Sequence, residues 1–278
     1  MTDIRPAREL RRAKNAGQDF VHTRTFKWLS RGGFVARATI YAIIGVLAFK
    51  LAIGAGGKLT NQHGALNTVA NQPFGTYLLT LLAIGLGGYA LWRLFRAALG
   101  RGPEDSDSGF DRIAALASGL AYAGLCAVAV EILIGSGSSS SANAKSSTAG
   151  ALGWPGGQWI VGAIGLVMIG VGLYQGYKGI TQKFLEESKT EEMSPRVRKW
   201  IGRVGTAGHL ARAVVFALIG ALLVKAAVEY NPNTAVGLDG ALAKVANQSY
   251  GSVLLGIIAA GLIAFALYSL SDARYRRI

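Results

Sequence analysis

The chain has 278 residues, 51% of them hydrophobic and 16% charged, with a formal net charge of +14. One cysteine, Cys126, and the scattered histidines His22, His63 and His209 supply no disulfide framework and no metal-ligand spacing, so no metal and no other cofactor is expected. Six apolar runs of about twenty residues put the chain among polytopic membrane proteins, and the basic excess then reads as loops facing anionic lipid, not as a nucleic-acid surface.

In chain order, residues 1–31 are a polar, basic cytoplasmic arm with eight Lys and Arg, expected to be surface-lying or disordered, with Trp28 at the interface. The first apolar run starts only near Phe34 and is long enough to span, so no cleavable signal peptide is expected. The spans are read at about 34–54, 75–95, 113–135, 157–177, 205–228 and 250–271. Residues 136–150, SGSSSSANAKSSTAG, read as a flexible low-complexity loop. Lys and Arg number eight, four, seven and three in the arm, the 2–3 and 4–5 connectors and the tail, against one in each opposite connector. That bias predicts a membrane protein with both termini cytoplasmic.

An internal repeat organises these spans. Residues 64–91, GALNTVANQPFGTYLLTLLAIGLGGYAL, return as residues 240–267, GALAKVANQSYGSVLLGIIAAGLIAFAL, with fifteen of twenty-eight positions identical without a gap. A degenerate third copy lies between them. With Tyr41, Tyr122 and Phe216 in register, Arg37 aligns with Ser118 and Arg212, Gly45 with Cys126 and Gly220, and Lys50 with Glu131 and Lys225. In the second helices Trp92 aligns with Tyr174 and Tyr268, and Arg96 with Lys178. The predicted fold is an all-α membrane protein of six helices, three two-helix hairpins in parallel orientation, pseudo-threefold about the membrane normal. The predicted units are repeat 1 at 32–97, a charged linker at 98–112, repeat 2 at 113–178, a second linker at 179–203 and repeat 3 at 204–278. The GALxxVANQ segments are expected to form short surface helices in the first and third repeats, with Asn71 and Asn247 bonding backbone at their ends.

The segments RGGFVARATIYAIIG (31–45), GTAGHLARAVVFALIG (205–220) and the two GALxxVANQxxG stretches resemble a bacterial membrane family catalogued as domain of unknown function 1206. The resemblance covers nearly the whole chain after residue 27. It implies tandem two-helix units and brings no activity. The middle copy departs from the pattern, with Ser118 at the arginine position and Trp154-Pro155 in place of Asn-Gln.

No phosphate loop, dinucleotide fingerprint or nucleophile elbow occurs, so no enzyme and no catalytic residue is expected. The intramembrane ionisable groups carry the functional expectations. Lys50, Glu131 and Lys225 share one register and are a candidate charge ring; the alternative is that each snorkels to its interface. Arg37, Tyr41, Tyr122, His209 and Arg212 are candidate polar sites on the odd helices. The role expected first is passage of a small solute or ion between the hairpins. The alternative is a non-catalytic accessory or lipid-organising subunit with a protein partner in the membrane. A continuous polar lining favours the first, and a dry core favours the second.

Overall fold

The computed structural model describes residues 23–56, 58–99, 109–135 and 143–276. The arm up to residue 22, most of the 98–112 linker and the start of the Ser-rich loop lie outside the described residues. Among those described are nine α-helices: α1 (Arg24–Ala52), α2 (Gln62–Ala70), α3 (Gly75–Leu99), α4 (Gly109–Leu133), α5 (Asn143–Leu152), α6 (Gly157–Ile180), α7 (Pro195–Val228), α8 (Leu238–Ala246) and α9 (Gly251–Tyr275). Six of them, α1, α3, α4, α6, α7 and α9, are long and apolar enough to cross a membrane. Among the described residues every regular element is a helix, and the six apolar spans make the chain a multi-pass membrane protein.

Two spans begin ten residues before the starts expected for them. The first begins at Arg24, because nothing in residues 24–33 breaks a helix. The fifth begins at Pro195, where Ser194 accepts from Val197 N–H at 3.4 Å and proline sits in the first turn. At 34 residues α7 is about 51 Å long, more than the hydrocarbon core needs.

The GALxxVANQ segments form α2 and α8, whose apolar faces (Ala65, Leu66, Val69 and Ala241, Leu242, Val245) are buried. At their ends Asn71 and Asn247 act through the backbone, their N–H groups bonding Asn67 O and Ala243 O, each at 3.1 Å. The side chains that reach back are the following glutamines, Gln72 to Thr68 O and Gln248 to Lys244 O. The middle repeat keeps this element too: the Ser-rich stretch expected to be flexible contains α5. Gly75, Gly157 and Gly251, which open the next span in each repeat, back onto the preceding short helix so closely that a side chain would clash with its carbonyls.

Packing between repeats exceeds packing within them. The most extensive interfaces are α6 on α7, α9 on α1 and α3 on α4, each joining the second span of one repeat to the first span of another. The same contact recurs in all three. A methyl group at Gly45 would stand 3.0 Å from Ile263 N and 3.1 Å from Ala259 O. One at Gly220 would stand 2.6 Å from Gly165 O and 2.8 Å from Ile169 N. At the third place Cys126 Sγ donates to Ala83 O at 3.3 Å. Small residues at one register let each pair of backbones approach.

Within repeats, α1 packs on α3 and α7 on α9, but α4 and α6 share no packed interface. The middle hairpin is therefore split. The link to α5 accounts for the split: α5 follows α6 toward repeat 3, where Tyr230 donates to Leu152 O at 2.5 Å. The helices form the row α4–α3–α1–α9–α7–α6, with a gap between its ends, and α4 and α6 are the least buried spans.

Candidate functional site

The starts of α1, α4 and α7 meet the ends of α3, α6 and α9 at one end of the bundle, here called the basic end; the other is the loop end. Polar side chains gather inside the basic end. Small residues on the helix faces open the space. A methyl group at Gly208 would lie 2.6 Å from Phe265 Cα, and one at Gly33 would lie 2.9 Å from Tyr89 Cα. That contact brings α1 against α3 and α7 against α9, and it sets the next residue of each ladder, Arg37 and Arg212, among aromatic rings.

Arg37 is 5% exposed and fully engaged. Its Nη2 pairs with Asp272 Oδ2 at 2.7 Å, its Nε donates to Ser269 Oγ at 3.0 Å, and its Nη1 donates to Tyr89 OH at 3.0 Å. Phe34, Tyr89 and Phe265 surround the guanidinium at 5.0–5.4 Å. Tyr89 OH also accepts from Arg93 Nε (3.1 Å) and Nη2 (2.9 Å). Asp272 Oδ1 lies 3.8 Å from Arg276 Nη1. Arg276 and Lys178 both pair with Glu187, in the connector before α7. That connector is pinned to the end of α9 by Lys189 N–H on Tyr275 O (2.8 Å) and by the buried Phe184, which stacks on His209 at 4.9 Å. Ion pairs shielded this way are specific, and removing one partner leaves an uncompensated buried charge.

Arg212 occupies the matching place in repeat 3. Its rings are Tyr41, Phe216 and Phe265, the last at 4.3 Å. Gln175 lies between its two neighbours: with the amide nitrogen toward His209 Nδ1 (3.2 Å), the amide oxygen accepts from Arg212 Nη1 (3.0 Å) and Nη2 (3.1 Å). The aromatic setting repeats as well. Phe34 meets Tyr89 and Trp92 at 5.2 and 5.4 Å, and His209 meets Phe265 and Tyr268 at 5.6 and 5.2 Å. Tyr122 contributes from α4, with its ring 4.5 Å from Tyr89. The five sites expected on the odd helices, Arg37, Tyr41, Tyr122, His209 and Arg212, thus converge.

The expected ring of Lys50, Glu131 and Lys225 does not form. All three are exposed at the loop end, and Lys225 pairs with Glu229 on its own helix at 3.6 Å. No ion pair joins Lys50 to Glu131 or Lys225 to either, since α1, α4 and α7 are separated there by the second spans. Glu131 instead lies near His63 on α2, whose own pKa is lowered from the ordinary value by partial burial, with Glu131 opposing.

Sequence reasoning did not select Asp272, Ser269, Glu187 or Gln175. The signal for Asp272 and Ser269 was present: Phe265, Tyr268, Ser269 and Asp272 lie on one face of α9 at helical spacing, with Arg276 just past its end. The sixth span was closed at residue 271, which assigned Asp272 to the solvent-exposed tail. Among the described residues no group of three His, Cys, Asp or Glu is placed to hold a metal.

Comparison with known proteins agrees with the internal repeat. Residues 32–100, 113–182 and 207–276 each match the family described as Domain of Unknown Function (DUF1206). The chain is 33% identical over 254 residues to "Uncharacterized protein YxxB" of Bacillus subtilis (strain 168), covering 91% of this chain and 92% of that protein. No solved structure matches the chain.

Proposed function

The chain belongs to the DUF1206 family, and from the geometry above we propose that it is a non-catalytic accessory protein of the bacterial cytoplasmic membrane with a one-sided polar site at its inner face. In this reading both termini are cytoplasmic, as the Lys and Arg distribution supports, and the basic end is the inner end. The repeats are pseudo-threefold about the membrane normal, which the recurrence of one contact at Gly45, Cys126 and Gly220 supports.

One observation carries the choice between the two roles. Polar side chains gather in the basic half, and Ile44, Ala48, Leu66, Leu79, Leu82, Leu242, Val245, Leu255 and Ala259 fill the loop half in a single apolar cluster, with Thr148 of α5 also buried at that end. Leu66 and Leu242 come from α2 and α8, which cap the bundle from the loop end. A continuous polar lining, the mark of a passage, is missing from that half among the described residues. Transport, the role expected first, therefore gains no support, and a binding role at one face is favoured.

Single cysteines in a Cys126→Ala background test the reading. A thiol at Ser118, in the basic half, should react with a membrane-impermeant reagent from the cytoplasmic side only, and a thiol at Ala48 should react from neither side. Labelling of Ala48→Cys from outside would reject the one-sided site.

A further inference from the structure

The two arginines of the repeat are not equally neutralised. Arg37 has three oxygen partners: a carboxylate (Asp272), a hydroxyl (Ser269) and a phenol (Tyr89). In repeat register the same three places around Arg212 hold Lys178, Gln175 and Phe265. The carboxylate has become a cation, which pairs with Glu187 instead, and the phenol has lost its oxygen. One amide oxygen is all that remains. Arg212 Nε and His209 Nε2 are both buried without a hydrogen-bond partner, and His209 is 5% exposed. Among the groups named at the basic end, five cations (Arg37, Arg93, Lys178, Arg212, Arg276) face two carboxylates (Asp272, Glu187). A guanidinium held among rings inside a membrane bundle, with no anion, is a strong electrostatic deficit.

Access differs in the same direction. Around Arg37 the rings of Phe34, Tyr89 and Phe265 are buried. Around Arg212 the rings of Tyr41 and Phe265 are buried as well, but its own side chain, Gln175 and Phe216 are half-buried. The half-buried groups belong to α7 and α6, so the open side faces the edge of α6 that does not pack on α4.

We infer that Arg212, with Gln175 beside it, binds an exogenous oxyanion, a carboxylate or phosphate group, in the place that Asp272 fills at Arg37. Arg is suited to this because its planar fork bonds such groups in pairs. The group arrives either on an anionic lipid, whose chains lie in the α4–α6 gap, or as a free anion from the cytoplasm. The inference rests on the one-sided site proposed above, but its test is separate, since thiol labelling decides sidedness and ligand response decides this.

Purified full-length protein is placed in nanodiscs of phosphatidylcholine alone or with phosphatidylglycerol, and titrated with inorganic phosphate or acetate while thermal unfolding is followed. Stabilisation by phosphatidylglycerol only identifies a lipid headgroup, and stabilisation by the soluble anions identifies a free oxyanion. Arg212→Gln should weaken the response by about 10- to 100-fold, the loss expected for a charge-assisted bond. Gln175→Glu places a carboxylate against Arg212, and should raise the unfolding temperature while abolishing the response; it serves if Arg212→Gln does not fold. The inference is overturned if no anion stabilises the wild type, or if Gln175→Glu responds as the wild type does.

Discussion

Replacing Asp272 by Asn probes the basic end most sharply. The substitution keeps the shape and removes the one carboxylate that pairs with Arg37 at 2.7 Å while also facing Arg276 at 3.8 Å. At an effective dielectric near 20, two unit charges at about 4 Å attract by roughly 4 kcal/mol, and desolvation offsets part of each pair. The net loss on breaking a buried pair is about 3–5 kcal/mol, a large share of a stability of roughly 5–15 kcal/mol. Arg37 would keep Ser269 and Tyr89 and would face an uncharged amide where the carboxylate stood. At about 2–4 °C per kcal/mol, unfolding in detergent should shift down by roughly 6–20 °C. The double variant Arg37→Gln with Asp272→Asn should lose less than the two single changes together, by about 1–3 kcal/mol of coupling. Strict additivity, or a single-variant loss below about 0.5 kcal/mol, would refute the argument that this ion pair locks α9 to α1.

Two further outcomes follow from the packing and the charges. Gly208→Val should destabilise by about 1–3 kcal/mol or more, because the new side chain meets Phe265 backbone at 2.6–2.7 Å, whereas Gly124→Ala, with open space around it, should be neutral or slightly stabilising in thermal unfolding. For His63, burial holds the folded pKa below 6.5, so the unfolded chain binds the proton more readily and stability falls as pH drops below that value. His63→Asn should therefore narrow the difference in unfolding temperature between pH 8 and pH 5; a wider or unchanged difference would count against the half-buried, neutral histidine.

The fold was legible because the repeat repeats its physics. Asn-Gln followed by Gly marked the end of a short helix before a span, and the Gly-Arg-Tyr-Gly ladder marked the face that packs. The identity of the packing partners was not legible. A hairpin reading pairs Gly45 with its own repeat, yet Gly45 meets Ala259 and Ile263 from the last helix in the chain. The site followed the same pattern: its odd-helix residues were visible as a ladder, but Arg37's carboxylate lies 235 residues away. The Lys50, Glu131 and Lys225 ring failed because a shared register fixes depth and not direction, and at that depth all three side chains are exposed. The helix α5 was hidden by its serines, since composition signals flexibility whereas the glycine at 157 and the docking to repeat 3 give the segment a place to fold.

The central claim is that the polar site opens to one face only, below an apolar loop half. Ion and solute flux through liposomes reconstituted with the purified protein tests it most directly, using potassium, proton, chloride and phosphate gradients with protein-free vesicles alongside. The account predicts rates equal to the protein-free vesicles for all four. Protein-dependent flux of any of them that Arg212→Gln abolishes would contradict it and restore passage as the function.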